Sequence, residues 1–191
     1  AAKLGKIVTA RAIYSKMLQH FPNDSAIWWD AIMLEKNNKQ DLVPLLQKGV
    51  KECPSSEALW LLLSKTKWLN ADLDGARQVL ASAAKVNSKS ESICLAAVKL
   101  EFEENNFESA RKILETARER INSARIWMKS ALLEREMANF GRENEILLEA
   151  VTKFPKMKNF KVWLMLCQSF ERLGDFESAR NFYVKSVSSI C

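Results

Sequence analysis

Tryptophan recurs along this chain at a nearly fixed interval, and each copy opens an apolar stretch. Trp28, Trp60, Trp127 and Trp163 mark it, and Cys94, in SICLAAVKLEF, stands where a further Trp would fall; the steps are 32, 34, 33 and 36 residues. A second landmark has the same period. The pair Ala-Arg occurs at Ala10-Arg11, Ala76-Arg77, Ala110-Arg111 and Ala179-Arg180, and the pentapeptide FESAR is spelled twice, from Phe107 and from Phe176. The two copies lie 69 residues apart, two periods of about 34. Between the Ala-Arg pairs, degenerate copies carry Leu45-Leu46 and Glu143-Asn144 at the corresponding places. Pro22, Pro54 and Pro155, with Asn87 and Asn122 in the other units, close most periods. A fixed period of this length is the signature of a repeat architecture.

Each unit reads as two helices. The Trp stretch is helix A, and the Ala-Arg stretch is helix B. Asp41, Asp72, Asn106, Asn139 and Asp175 precede an apolar residue where an N-cap belongs, because a side-chain oxygen there can accept from free backbone N–H groups. The prolines follow helix B, which a ring without N–H cannot extend. Pro44 is expected in the first turn of its helix, where it is tolerated. No strand-like alternation competes. The expected fold is all-α: a right-handed α-solenoid of about eleven helices in antiparallel pairs. A leading helix B over 5–21 precedes five pairs over about 25–54, 56–87, 90–121, 123–155 and 159–191. A single pair cannot bury its apolar face, and stacking neighbours does so.

Composition agrees. Of 191 residues, 48% are hydrophobic, with only 5 Gly and 4 Pro, too ordered a content for a disordered segment. The net charge of +6 is spread among 23 acidic residues, less concentrated than a typical nucleic-acid binder. No apolar run is long enough for a membrane span. The chain opens Ala-Ala without Met and reads as a piece of a longer protein. Cys53, Cys94, Cys167 and Cys191 form no CxxC pair, and His20 is the single histidine, so no metal site, cofactor site or Cys-His nucleophile is expected. The cysteines read as small apolar fillers in a reducing compartment. No phosphate loop or nucleophile elbow is present, and an enzyme is the least expected class.

Counting from the Trp, offsets 0, 3, 4 and 7 share one face and are expected to pack against helix B. The offset of seven holds Glu35, Lys67, Glu101, Glu134 and Phe170. A buried Glu needs a partner, and the expected one for Glu101 is a helix-B arginine, Arg111 first, or nearby backbone N–H groups. Arg77, Arg111 and Arg180 lie near the starts of the B helices. The opposite face, at offsets 2 and 5, mixes apolar residues with lysines: Met33, Leu62, Lys65, Lys99, Lys129, Leu132, Met165 and Gln168. A solvated face would be mostly charged, so this one is a candidate wall for a partner segment. KFPKMKNFK supplies a basic candidate contact through Lys153, Lys156, Lys158 and Lys161. With the Trp residues committed to packing, few aromatics remain to stack bases. Exposed ends, including Ile7, Ile13 and Met17 at one terminus and Phe182 and Val187 at the other, are expected to promote self-association.

Trp-then-Glu in helix A, Ala-Arg-then-aliphatic in helix B and a closing Pro resemble the HAT (half-a-TPR) repeat over the whole chain. The strings SKTKWL at Ser64–Leu69 and LAAVKLE at Leu95–Glu101 resemble more narrowly the HAT array of the pre-mRNA-processing factor 6 family. That resemblance implies a nuclear protein scaffold in pre-mRNA splicing that helps bridge the U5 and U4/U6 particles of the spliceosomal tri-snRNP. Its implied partners are tri-snRNP proteins, with at most weak snRNA contact. HAT scaffolds of polyadenylation or ribosomal-RNA processing, and direct RNA binding by the solenoid, are the alternatives.

Overall fold

A computed structural model describes residues 2–35, 39–121, 123–154 and 160–190. Among these the chain is all-helical, with eleven α-helices and no strand. They are α1 (Ala2–His20), α2 (Ser25–Leu34), α3 (Lys39–Glu52), α4 (Glu57–Leu69), α5 (Leu73–Val86), α6 (Glu91–Glu103), α7 (Phe107–Arg120), α8 (Ala124–Glu136), α9 (Phe140–Lys153), α10 (Phe160–Arg172) and α11 (Phe176–Ile190). Even-numbered helices are the A type and odd-numbered ones the B type. The chain divides into two compact units, Ala1–Ala96 and Ala97–Cys191, with the boundary inside α6.

In the first unit, α2 packs against α1 and α3, and α4 against α3 and α5. Trp28, Ile32, Leu42, Leu46, Val50, Cys53, Leu59 and Leu63 form its core. In the second, α8 packs between α7 and α9, and α10 between α9 and α11. Trp127, Ala131, Ile146, Leu147, Ala150, Val162, Trp163 and Leu166 are central to that core. Because α2, α4, α8 and α10 are each flanked by two B helices, they bury more than the Trp stripe. Leu59, Ile126 and Val162, each immediately before the landmark position, are also buried, as is Ile93 at the same place in α6. Periodicity centred on the Trp did not single them out.

The Trp side chains differ. Trp28 and Trp127 are buried, but Trp60 is only half-buried. The closing prolines have a role beyond stopping helix B. Trp28 Nε1 donates to the Pro22 carbonyl at 2.6 Å, and Trp60 Nε1 to that of Pro54 at 2.9 Å. Ile121 stands six residues before Trp127, and the buried Trp127 Nε1 has no hydrogen-bond partner. Instead Arg118 and Lys153 each lie 5.1 Å from its ring centre, two cation–π contacts.

The A-to-B turn repeats one device. Ala71, Asn105, Ala138 and Gly174 all have left-handed backbone, with φ of 59°, 59°, 58° and 79°. Each lies eleven residues after its landmark position. The next N–H reaches back to the carbonyl at offset seven: Asp72 to Lys67 at 3.0 Å, Asn106 to Glu101 at 2.8 Å, Asn139 to Glu134 at 2.9 Å and Asp175 to Phe170 at 3.0 Å. This closure satisfies carbonyls that a helix end otherwise leaves open.

Two expectations are corrected. Pro44 is not in the first turn, since α3 already begins at Lys39 and encloses it; its missing N–H removes one bond from the helix interior. The α3 register is also shifted by one. Buried positions in the B helices recur as Ala76, Leu80, Ala83 and as Ala110, Leu114, Ala117, and in α3 they are Leu46, Val50 and Cys53. Leu46-Gln47, not Leu45-Leu46, therefore stands at the Ala-Arg place. The interval from Trp28 to Leu46 is 18 residues against 16 from Trp127 to Glu143. Asn122 and Pro155 lie outside the described residues, as does the side chain of Asp41.

Alanine in left-handed backbone is strained by its Cβ, and glycine is not. Ala138→Gly should therefore raise stability by about 1 kcal/mol, read from the urea midpoint at unchanged slope. A lower midpoint would contradict the turn geometry.

Candidate protein-docking surface

At Glu35 and Glu134 the offset-seven carboxylate is held by the arginine of the preceding B helix. In the first unit, Arg11 of α1 forks onto Glu35, just past the end of α2; Nη2 lies 2.6 Å from Oε2, and Nε contacts Oε1. In the second, Arg111 of α7 forks onto Glu134 of α8, Nε to Oε1 at 2.7 Å and Nη2 to Oε2 at 2.8 Å. Two parallel charge-assisted bonds fix orientation as well as energy. Glu35 and Glu134 are buried, while Arg11 and Arg111 reach solvent on one side. Each arginine thus ties its helix to the A helix that follows it in sequence.

This corrects the partner expected for Glu101. Arg111 is occupied by Glu134, and Glu101 Oε2 accepts from Asn106 Nδ2 at 3.1 Å. Asn139 Nδ2 likewise donates to Glu134 Oε2 at 3.2 Å. Neither asparagine makes the side-chain cap expected of it. Aspartate takes that place where offset seven is not Glu. Asp72 accepts from Gly75 N at 2.9 Å and from Lys67 Nζ at 2.6 Å, and Asp175 accepts from Ser178 N at 3.0 Å. Asp24 and Ser123 also cap their helices.

Glu143, at the place of the repeat alanine, is wholly buried. Its Oε1 accepts from Arg135 Nε and Nη2 at 2.9 and 2.7 Å and from Arg172 Nη2 at 2.6 Å. Here the B helix supplies the anion and the A helices on either side supply the cations. Asn144 replaces the arginine and Phe170 the following glutamate, so the usual pair is missing at both ends.

The candidate wall divides by depth. In the first unit Met33 and Leu62 are half-buried against the core, and Lys65 is exposed. In the second, Lys99 and Lys129 are exposed, Leu132, Met165 and Gln168 half-buried, and Met165 packs on the core. Lys99 lies 3.5 Å from Glu103. Of the basic stretch, Lys153 ends α9 over the Trp127 ring and Lys161 is exposed at the start of α10; Lys156 and Lys158 lie outside the described residues. Lys153 is therefore part of the fold and not a free loop charge. Of the exposed-end residues, Ile13 and Met17 are exposed and Ile7 half-buried. Phe182 is not exposed, because it stacks on Phe170 at 5.2 Å, and the side chain of Val187 lies outside those described.

The thiols of Cys53, Cys94 and Cys167 are all held above the ordinary value. Burial pushes Cys94 and Cys167 up to about 11, with Glu91 and Glu171 adding to it. Among the described residues no group of His, Cys, Asp and Glu could hold a metal ion, and no helix is long and apolar enough to cross a membrane.

Comparison with known proteins places this geometry. The tetratricopeptide repeat family pattern matches residues 68–133. Pre-mRNA-splicing factor SYF1 of Rattus norvegicus is 24% identical over 194 positions, covering 95% of this chain and 21% of that protein, and the Homo sapiens protein matches equally. Protein STABILIZED1 of Arabidopsis thaliana is 48% identical over 48 residues, 25% of this chain and 5% of that protein. The chain thus spans about a fifth or less of the length of these relatives. Among solved structures, MamA superposes with TM-score 0.60 at 16% identity over 86% of this chain and 91% of that one. BtubC from P. vanneervenii gives 0.63 at 12% over 97% and 88%. YrrB, a TPR protein with an unusual peptide-binding site, gives 0.56 at 9% over 92% and 91%. The fold is that of TPR-like helical repeats.

Burial pushes the Glu134 carboxyl up, but hydrogen bonds from Arg111 and Asn139 and the charges of Arg111 and Arg142 outweigh it and hold it below the ordinary 4.5. A lowered carboxyl stabilises the fold above its unfolded value, and that contribution is lost as pH falls through the folded one. Glu134→Gln should cost about 1.5–3 kcal/mol near neutrality, and the deficit should shrink below pH 4.5. Denaturation at a series of pH values checks this; a deficit unchanged into acid would contradict it.

Proposed function

We propose that this chain is a non-catalytic protein-interaction scaffold of pre-mRNA splicing, acting in the nucleus within the spliceosomal tri-snRNP and helping to bridge its U5 and U4/U6 particles. The observation that carries the reading is the outward face of the A helices, where half-buried Leu62 and Leu132 sit beside exposed Lys65 and Lys129. Apolar floor and cationic rim suit a partner segment with apolar and acidic side chains. Similarity to SYF1 over nearly the whole chain supports a splicing setting, and the narrower tri-snRNP setting rests on the SKTKWL and LAAVKLE strings.

The competing reading is RNA binding through the basic stretch. Lys153 is already engaged with the Trp127 ring, which leaves Lys161 as the other exposed lysine among the described part of that stretch. Cross-linking mass spectrometry on the intact tri-snRNP should join Lys65, Lys99 or Lys129 to other tri-snRNP proteins. The combined variant Lys65→Glu with Lys129→Glu should lose those proteins while its melting point is kept, since solvated charges contribute little to stability. Tight, sequence-selective RNA binding at physiological salt, falling with log salt at about −0.7 per phosphate contact, would overturn the scaffold reading.

A further inference from the structure

Trp127 lacks what its counterparts have. Trp28 and Trp60 donate through Nε1 to a proline carbonyl, whereas Trp127 is 5% exposed and its Nε1 has no acceptor. Arg118 of α7 carries a second buried donor without an acceptor, its Nε. Arg118 and Lys153 of α9 each lie 5.1 Å from the Trp127 ring centre, so two like charges and two unmet N–H groups gather around one ring. Burial, and then the charge of Arg142, lower the Arg118 pKa from its ordinary value, and the charges of Glu115, Glu149 and Glu134 offset only part of this. The surrounding edge is cationic. Arg120 at the end of α7, Arg125 in the first turn of α8 and Lys161 at the start of α10 are exposed. In this unit α8 packs between α7 and α9, and α10 against α9. None of these four is a terminal helix, since α6 precedes them and α11 follows.

We propose that this edge holds an acidic segment of a partner protein, with one of its glutamates seated among Arg118, the Trp127 indole N–H and Lys153. The carboxylate gives both unmet donors an acceptor and screens two like charges from each other. Lys153 is exposed, so its ammonium can turn from the ring to the incoming carboxylate without moving the core. Arg120, Arg125 and Lys161 draw in the rest of the segment. The two donors are recessed, which suits a carboxylate on a slender side chain. A phosphodiester of RNA carries a ribose on either side, too broad for such a recess. The inference adds a contact beyond the A-helix wall and does not depend on a role in splicing.

The probe is a labelled hexaglutamate peptide, added to the whole chain at physiological salt and followed by fluorescence anisotropy and by the indole N–H resonances in nitrogen-edited NMR spectra. Saturable binding is expected, with a shift of the Trp127 resonance, which its loss in Trp127→Phe identifies. Arg118→Gln should weaken binding by about tenfold or more. So should Arg120→Glu combined with Lys161→Glu, two exposed positions whose change keeps the melting point, so the test stands even where Arg118→Gln unfolds the chain. Saturable binding that leaves the Trp127 resonance unmoved would put the peptide elsewhere and overturn the proposal. No saturation up to about 1 mM would also overturn it. So would an oligouridylate of equal charge that binds more tightly and shifts the same resonance, since the edge would then belong to RNA.

Discussion

A carboxylate pressed into a helical interface must be met by a cation or remain a costly, half-desolvated charge. Glu134 is met by Arg111 and Glu35 by Arg11, each time from the B helix just before it in sequence. Apolar packing alone is permissive about how two helices slide and rotate. A bidentate arginine is not, because its fork fits the carboxylate in one orientation. The pair therefore sets how one repeat meets the next, and the Trp and leucine core fills the space so defined.

The sequence variations follow from that constraint. Where α3 carries Gln47 in place of the arginine, α4 carries Lys67 in place of the glutamate, so no buried charge is stranded, and Lys67 turns to Asp72. Where α9 has Asn144, α10 has Phe170, and the joint is rebuilt with reversed sign around Glu143, Arg135 and Arg172. The turn residue follows suit: Asn106 and Asn139 donate to a glutamate, whereas Asp72 and Asp175 accept from backbone N–H. A scaffold built this way holds its outward lysines and half-buried leucines on fixed supports, which is what docking of a partner segment requires.

Much of the fold was legible because it is periodic. Trp spacing, Ala-Arg spacing and the Asp or Asn before each B helix were enough for eleven helices. What stayed hidden was pairwise. A one-dimensional pattern marks Glu101 and Arg111 as special but does not say which neighbour each faces; Arg111 is nearer Glu101 in sequence yet bonds Glu134 of the next helix. The α3 register failed because Leu45 and Leu46 are both apolar and only burial separates them. Left-handed turns were missed at Ala71, Asn105 and Ala138, since only Gly174 shows the residue type that usually betrays them. The outward wall was readable as a mixed face, though not that Met165 rests on the core.

The claim on which the rest stands is that Arg111 and Glu134 couple α7 to α8. A double-mutant cycle with Arg111→Ala, Glu134→Ala and both together, measured by urea unfolding, isolates their interaction. The expected coupling is about 1–3 kcal/mol, and it should vanish in acid, where the carboxyl is protonated. Additive losses, with coupling near zero at neutral pH, would show that apolar packing alone sets the joint and would contradict the account.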